Sequence, residues 1–193
     1  MKMRAVLVLA MATLLSACGL NSVPTAQEAA KAKWADVQTN YQRRADLIPN
    51  LVATAKGAAG SEAKILTDIT NARASASQIK LSGDDLTDPA KVSAFNQAQN
   101  GVSLTLQRLQ EAYPDLKSQA NFATLMSQLE GTENRIAISI RDYNAAVQDY
   151  NTLIRTFPSA IGAKIFHGAK PMVPFEAKAG ADVAPTVNFG NGS

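Results

Sequence analysis

The run FATLMSQLEGTENRIAISIRDYNAAVQDYNTLIRTF, residues 122–157, decides the fold. Phe122, Leu129, Ile136, Tyr143, Tyr150 and Phe157 recur every seven residues, and Met126, Glu133, Ile140, Val147 and Ile154 form the interleaved row. Spacings of three and four residues put both rows on one stripe of a helix, the stripe that meets a partner. At about 1.5 Å per residue this helix is roughly 50 Å long, and its stripe stays wet unless other helices cover it. One layer is irregular, because Glu133 sets a carboxylate where a core residue belongs.

Working outward, the upstream chain supplies three candidate partners. Asp88-Pro89 predicts a helix start, a capping side chain followed by a proline whose missing N–H matters least there. Val92, Phe95, Val102, Leu106, Leu109 and Tyr113 continue the pattern, with Gln99 as its polar member and Pro114 closing it. Before it, Ile65, Ile69, Ala72, Ala76 and Ile79 line an Ala-rich helix that Ser61 is expected to cap. The first helix carries Trp34, Tyr41, Ile48 and Ala55 by sevens, beside Val37, Arg44 and Leu51. Pro49 is expected to kink or break it, and Gly57 and Gly60 to end it. Short connections make successive helices antiparallel. The predicted fold is therefore all-α, an antiparallel up-down-up-down four-helix bundle with a long C-terminal helix. Composition agrees, with 46% hydrophobic but only 6% aromatic residues, which suits closely packed helices. The bundle is expected over residues 28–166. Ile161, Ile165 and Phe166 are expected to pack on its end, and the Pro/Gly-rich residues 167–193 to form a mobile tail.

The N-terminus reads as an address. Lys2 and Arg4 precede an apolar run from Ala5 to Leu15, too short to span a bilayer, which takes about 20 residues. It ends in Leu15-Ser16-Ala17-Cys18, which resembles the bacterial lipobox, where cleavage precedes the cysteine and the thiol is acylated. Residues 1–17 are thus expected to be a lipoprotein signal peptide and residues 18–27 an anchor and linker. Cys18 is the sole cysteine, so an internal disulfide is excluded. Gly19 rather than an aspartate follows it, which favours the periplasmic side of the outer membrane if the cell has two membranes.

Setting aside Lys2 and Arg4 leaves 17 basic against 16 acidic side chains, a net of +1. Phosphate binding needs a clustered cationic excess, so no nucleic-acid partner is expected. The single histidine, His167, lies beyond the last helix, so the paired Glu-x-x-His ligands of a di-metal bundle cannot be assembled. No Gly-rich phosphate loop, thiol catalyst or Ser-His pair is readable, and no metal, cofactor or catalytic residue is predicted. Glu130 and Glu133 are near neighbours on one helix turn. They could serve as an acid and base pair only at the floor of an open pocket. The favoured reading pairs Glu133 with Arg44, which interrupts the first helix's stripe in the same way. Antiparallel packing with Trp34 level with residues 141–144 puts Arg44 level with Glu133.

The segments Arg43-Arg44-Ala45-Asp46-Leu47-Ile48-Pro49-Asn50-Leu51-Val52, Ala112-Tyr113-Pro114-Asp115-Leu116-Lys117 and Leu129-Glu130-Gly131-Thr132-Glu133-Asn134-Arg135-Ile136-Ala137, then Tyr143-Asn144, Tyr150-Asn151 and Phe157-Pro158, resemble the LemA family over about residues 28–176. The resemblance implies a four-helix bundle on the non-cytoplasmic side of the bacterial cell envelope. It marks Arg44, Asp46, Asn50, Glu130, Glu133, Asn134, Arg135, Asn144 and Asn151 as the family's polar positions. Family members usually carry an N-terminal transmembrane helix, where this chain has the lipobox. No molecular activity is implied. The expected role is a lipid-anchored, non-enzymatic scaffold or adaptor, held by acylated Cys18 and binding a protein partner. A membrane-shaping helical protein is the alternative, and an enzyme using Glu130 or Glu133 ranks lower.

Overall fold

A computed structural model describes residues 21–59, 63–114, 116 and 119–175, and among these every regular element is helical. The helices are α1 (Ser22–Ala59), α2 (Ala63–Gln78), α3 (Pro89–Ala112), α4 (Ala120–Leu153) and the short α5 (Ser159–Ile165), with a 3-10 turn at Asp85–Thr87. Asp88 caps α3 by accepting from the Ala90 amide at 2.9 Å, with Pro89 in the first turn. Cys18, the lipobox and Ser61 lie outside the described residues.

Contacts fix the running directions pairwise. On α1 and α4, Trp34 meets Tyr143 and Arg44 meets Glu133, so numbers rising on one fall on the other. On α1 and α2, Arg73 reaches Ala45 while the chain after α2 returns to Trp34, again opposed. On α1 and α3, Tyr41 meets Phe95 and Arg44 meets Gln99, so these two run the same way. Helix α1 packs along α4 and also against α2, and α2 packs along α3, whereas the backbones of α3 and α4 stay apart and these two helices meet through side chains such as Gln110 and Met126. One seam of the assembly is open.

Several expectations are corrected. Helix α1 begins at Ser22, and Val23 is fully buried, so residues 22–27 belong to the helix rather than to a linker. The helix also runs through Pro49 without a break. A proline leaves the carbonyl four residues earlier without its helical donor. That carbonyl belongs to Ala45, and Arg73 Nε of α2 donates to it at 2.7 Å. The gap in the ladder is filled from the neighbouring helix.

Helix α4 stops at Leu153, so the heptad rows end earlier than the pattern suggests. Phe157 is 83% exposed and is no core layer. Within α4 the second row also shifts by one residue: Thr132 and Ser139, not Glu133 and Ile140, are the buried members. Both hydroxyls donate to carbonyls of their own helix, Thr132 to Gln128 at 2.8 Å and Ser139 to Ile136 at 3.0 Å. Satisfied in this way they pack as small groups, and Glu133 and Ile140 turn toward the open seam. Ile161, Ile165 and Phe166, expected against the bundle end, are exposed, and α5 docks through Ala163 instead.

Residues 167–175 are not the start of a loose tail. Gly168, at φ +52°, adopts a left-handed conformation that suits glycine, and Ala169 N then donates back to the Ala163 carbonyl at 3.0 Å. The chain next lies along α4 as a strap, and Met172 and Phe175 are buried.

Candidate functional site

The core divides at one level. On one side lie Trp34, Tyr41, Phe95, Tyr143, Tyr150 and Phe175 with their apolar neighbours, and on the other Ile48, Leu51, Ile69, Leu109, Phe122 and Leu129. Arg44 stands between them, 2% exposed. A guanidinium so placed must spend its donors, and it does so on two other helices. Nη1 donates to Ser103 Oγ at 2.9 Å and to Glu133 Oε1 at 2.9 Å. Nη2 donates to the Gln99 carbonyl at 3.1 Å and to Gln99 Oε1 at 2.6 Å. The Tyr41 ring lies 4.9 Å below the cation, a cation–π contact. Burial pushes the Tyr41 hydroxyl up to about 12, with Arg44 opposing the shift and Glu133 adding to it. The structure thus brings Arg44 and Glu133 together, but the pair is lopsided, since the Glu133 side chain is 41% exposed.

Glu133 is half-buried, and it lines a cavity of about 870 Å³ in the open seam between α3 and α4. Leu106, Met126, Leu129, Ile136 and Ile140 supply its apolar surface, and Phe175 closes one end. The α3 wall is a ladder of uncharged polar groups, Asn96, Asn100, Ser103, Gln107 and Gln110, spaced by three and four. The α4 wall carries Glu130, Glu133, Asn134 and Arg141. Side-chain amides offer both donors and acceptors, as an extended peptide backbone requires, and the apolar surface can take its side chains. Both carboxylates do face an open cavity, the condition set for an acid and base role. Glu133, however, accepts from Arg44. The α3 ladder was missed in the sequence, although its helical spacing was visible beside the apolar row.

The other family positions fall elsewhere. Asp46 is exposed and accepts from Gln42 at 2.8 Å, and Asn50 and Arg135 are exposed on α1 and α4. Asn144 and Asn151 hold the strap. Asn151 accepts from the Met172 amide at 2.9 Å and donates to its carbonyl at 2.8 Å, while Asn144 does the same to Phe175 at 2.8 and 2.9 Å. The preceding tyrosines add Tyr150 Oη to the Lys170 carbonyl at 3.1 Å and Tyr143 Oη to the Val173 carbonyl at 3.0 Å. A Tyr-Asn pair repeated after seven helical residues therefore reads the triplets Lys170-Pro171-Met172 and Val173-Pro174-Phe175. The lengths agree, since seven residues of helix rise about 10.5 Å and three extended residues span about 10 Å. The prolines sit where no N–H is used. Burial raises both tyrosine hydroxyls above their ordinary range.

Among the described residues no cluster of His, Cys, Asp and Glu could hold a metal ion, and no helix is long and apolar enough to cross a membrane. The LemA family model matches residues 33–189, most of the chain and all of the site just described. No curated protein matches it significantly.

Proposed function

The chain belongs to the LemA family, and from that premise we propose that it is a lipid-anchored scaffold or adaptor of the bacterial cell envelope. In this reading the four long helices form an up-down-up-down bundle, acylated Cys18 tethers it to the membrane, and the α3–α4 groove binds an extended segment of a protein partner. The observation that carries the reading is the groove itself, an apolar surface beside a ladder of amides and above an Arg44 whose two terminal nitrogens are both bonded. The molecule contains a precedent, because Asn144 and Asn151 already hold an extended backbone through paired amide bonds. A photo-crosslinker at Gln107 in living cells should trap a recurring partner peptide, whereas one at exposed Asn50 should not. Equal recovery at both sites, or no recurring partner, rejects the groove. Radiolabelled palmitate should label the wild-type chain and not Cys18→Ser; an unlabelled wild type rejects the anchor.

A second reading follows from Glu130 and Glu133 facing the cavity: acid-base chemistry on a groove-bound substrate. Incubating the pure chain with ester, peptide and glycan mixtures tests it, with Glu130→Gln and Glu133→Gln as controls. Turnover abolished by either substitution supports this reading over the adaptor.

A further inference from the structure

Six large apolar side chains are exposed among the described residues; Leu104 and Ile138 stand singly on α3 and α4, and the other four lie close together in the chain. Among the described residues Phe157, Ile161, Ile165 and Phe166 are 83%, 52%, 70% and 67% exposed, and they fall within ten residues. Ile161 and Ile165 are one helical turn apart on α5, on the side away from buried Ala163. Single apolar residues are ordinary on a surface, but four exposed within ten residues mark a segment that something covers.

Three observations identify the occupant. First, charge: residues 150–175 contain Arg155, Lys164 and Lys170, all exposed, and no Asp or Glu. Apolar side chains fringed by cations, with no acid in the same stretch, are complementary to an anionic lipid surface, which attracts the cations while the rings and branched chains sink into the headgroup boundary. Second, place: α5 packs against α1, and Ala163 shares a core cluster with Val23, so the patch sits at the end where α1 begins. Residue 18, the proposed lipid attachment, is four residues before Ser22. Third, build: α5 is docked by Ala163 inward and by the Ala169–Ala163 hydrogen bond behind it.

We propose that the α5 end, through Phe157, Ile161, Ile165 and Phe166, is a second membrane contact that inserts into an anionic bilayer surface and stands the helices end-on to it. The placement draws on the anchor reading, but the contact itself does not need the acyl chains. It also differs from lengthwise membrane shaping, which would lay the sides of the long helices on lipid.

The test uses the Cys18→Ser chain from residue 18 onward and vesicles of phosphatidylethanolamine and phosphatidylglycerol. Flotation should recover this acyl-free chain with the vesicles, and the Phe157→Ser/Ile165→Ser/Phe166→Ser variant should lose about tenfold or more in partitioning. These side chains are exposed, so the variant's melting temperature should not change, which separates lost contact from lost fold. Phe166→Trp fluorescence should shift to the blue and be quenched by brominated lipid, while Ile138→Trp on the flank of α4 should show neither. No flotation of the acyl-free chain, undiminished flotation of the triple variant, or an equal response at position 138 overturns the proposal. Because Ser replaces Cys18 throughout, these outcomes are independent of the palmitate result.

Discussion

The two halves of the core, on either side of Arg44, carry the same heptad rows and fill them differently. The half from Ile48 to Leu129 is almost wholly aliphatic and packs with helices and with Leu116 of the connection between α3 and α4. The other half gathers Trp34, Phe95, Tyr143 and Phe175 with ring centroids 5.3 to 6.1 Å apart, and it needs a further layer of chain. Buried tyrosine hydroxyls require partners that an aliphatic core does not offer. The strap supplies those carbonyls and adds Phe175 to the ring cluster. Aromatic packing thus determined how much polypeptide the fold uses.

The largest test breaks the layer that separates the halves. Arg44→Leu removes every donor at once and leaves Gln99, Ser103 and Glu133 facing an apolar side chain, so chemical denaturation should show a loss of about 3 kcal/mol. Glu133→Gln should lose only about 1 kcal/mol, because Arg44 keeps Ser103 and Gln99 and the carboxylate is partly in water. Equal losses would mean that the ion pair rather than the buried guanidinium holds the layer.

A smaller effect is expected from releasing the strap in the aromatic half alone. Asn151→Ala deletes two hydrogen bonds and should lose about 2 kcal/mol, with hydrogen exchange accelerating at Met172 and Phe175 but not at Leu51 or Leu109. In the aliphatic half the corresponding weak point is the proline. Arg73→Met should lose about 1 to 2 kcal/mol by orphaning the Ala45 carbonyl, and adding Pro49→Ala should recover most of it by restoring the helical donor. Additive losses in that pair would reject the account of Arg73.

The smallest is a pH effect confined to the aromatic side. Tyr41 ionises near its ordinary value of about 10 when unfolded and at about 12 when folded. The unfolded state therefore loses its proton first, so this contribution is fully present below about pH 10 and is lost as pH rises toward 12. Tyr41→Phe should flatten the alkaline limb of the stability curve, and ultraviolet titration should show the delayed ionisation.

Where side chains act within one helix, the sequence was a good guide. All seven residues predicted on the α1 stripe are buried, and Arg44 and Glu133 lie 2.9 Å apart. What it concealed arises between segments. Continuing α4 to Phe157 followed from period alone, but period carries no information about where a chain turns. Pro49 read as a break because its remedy, Arg73, lies 24 residues away. The strap read as tail because its order comes from Asn144 and Asn151 rather than from any period within it. The groove was hidden for a related reason: apolar spacing shows what each helix buries, not which pair of helices stays apart.

The seven-to-three match between α4 and the strap has a consequence for register. Every bond from Tyr143, Asn144, Tyr150 and Asn151 goes to strap backbone, and backbone is the same in both triplets. Sliding the strap by three residues would place Lys170-Pro171-Met172 on Tyr143-Asn144 with the same bonds, so the bonds made at that pair cannot by themselves tell the two alignments apart. Phe175 breaks this degeneracy. Its ring stacks on Trp34 at 5.4 Å and sits edge-on to Tyr143 and Phe95, a socket that Met172 lacks the ring to fill. One aromatic side chain thus acts as the index mark on a scale whose divisions are otherwise identical.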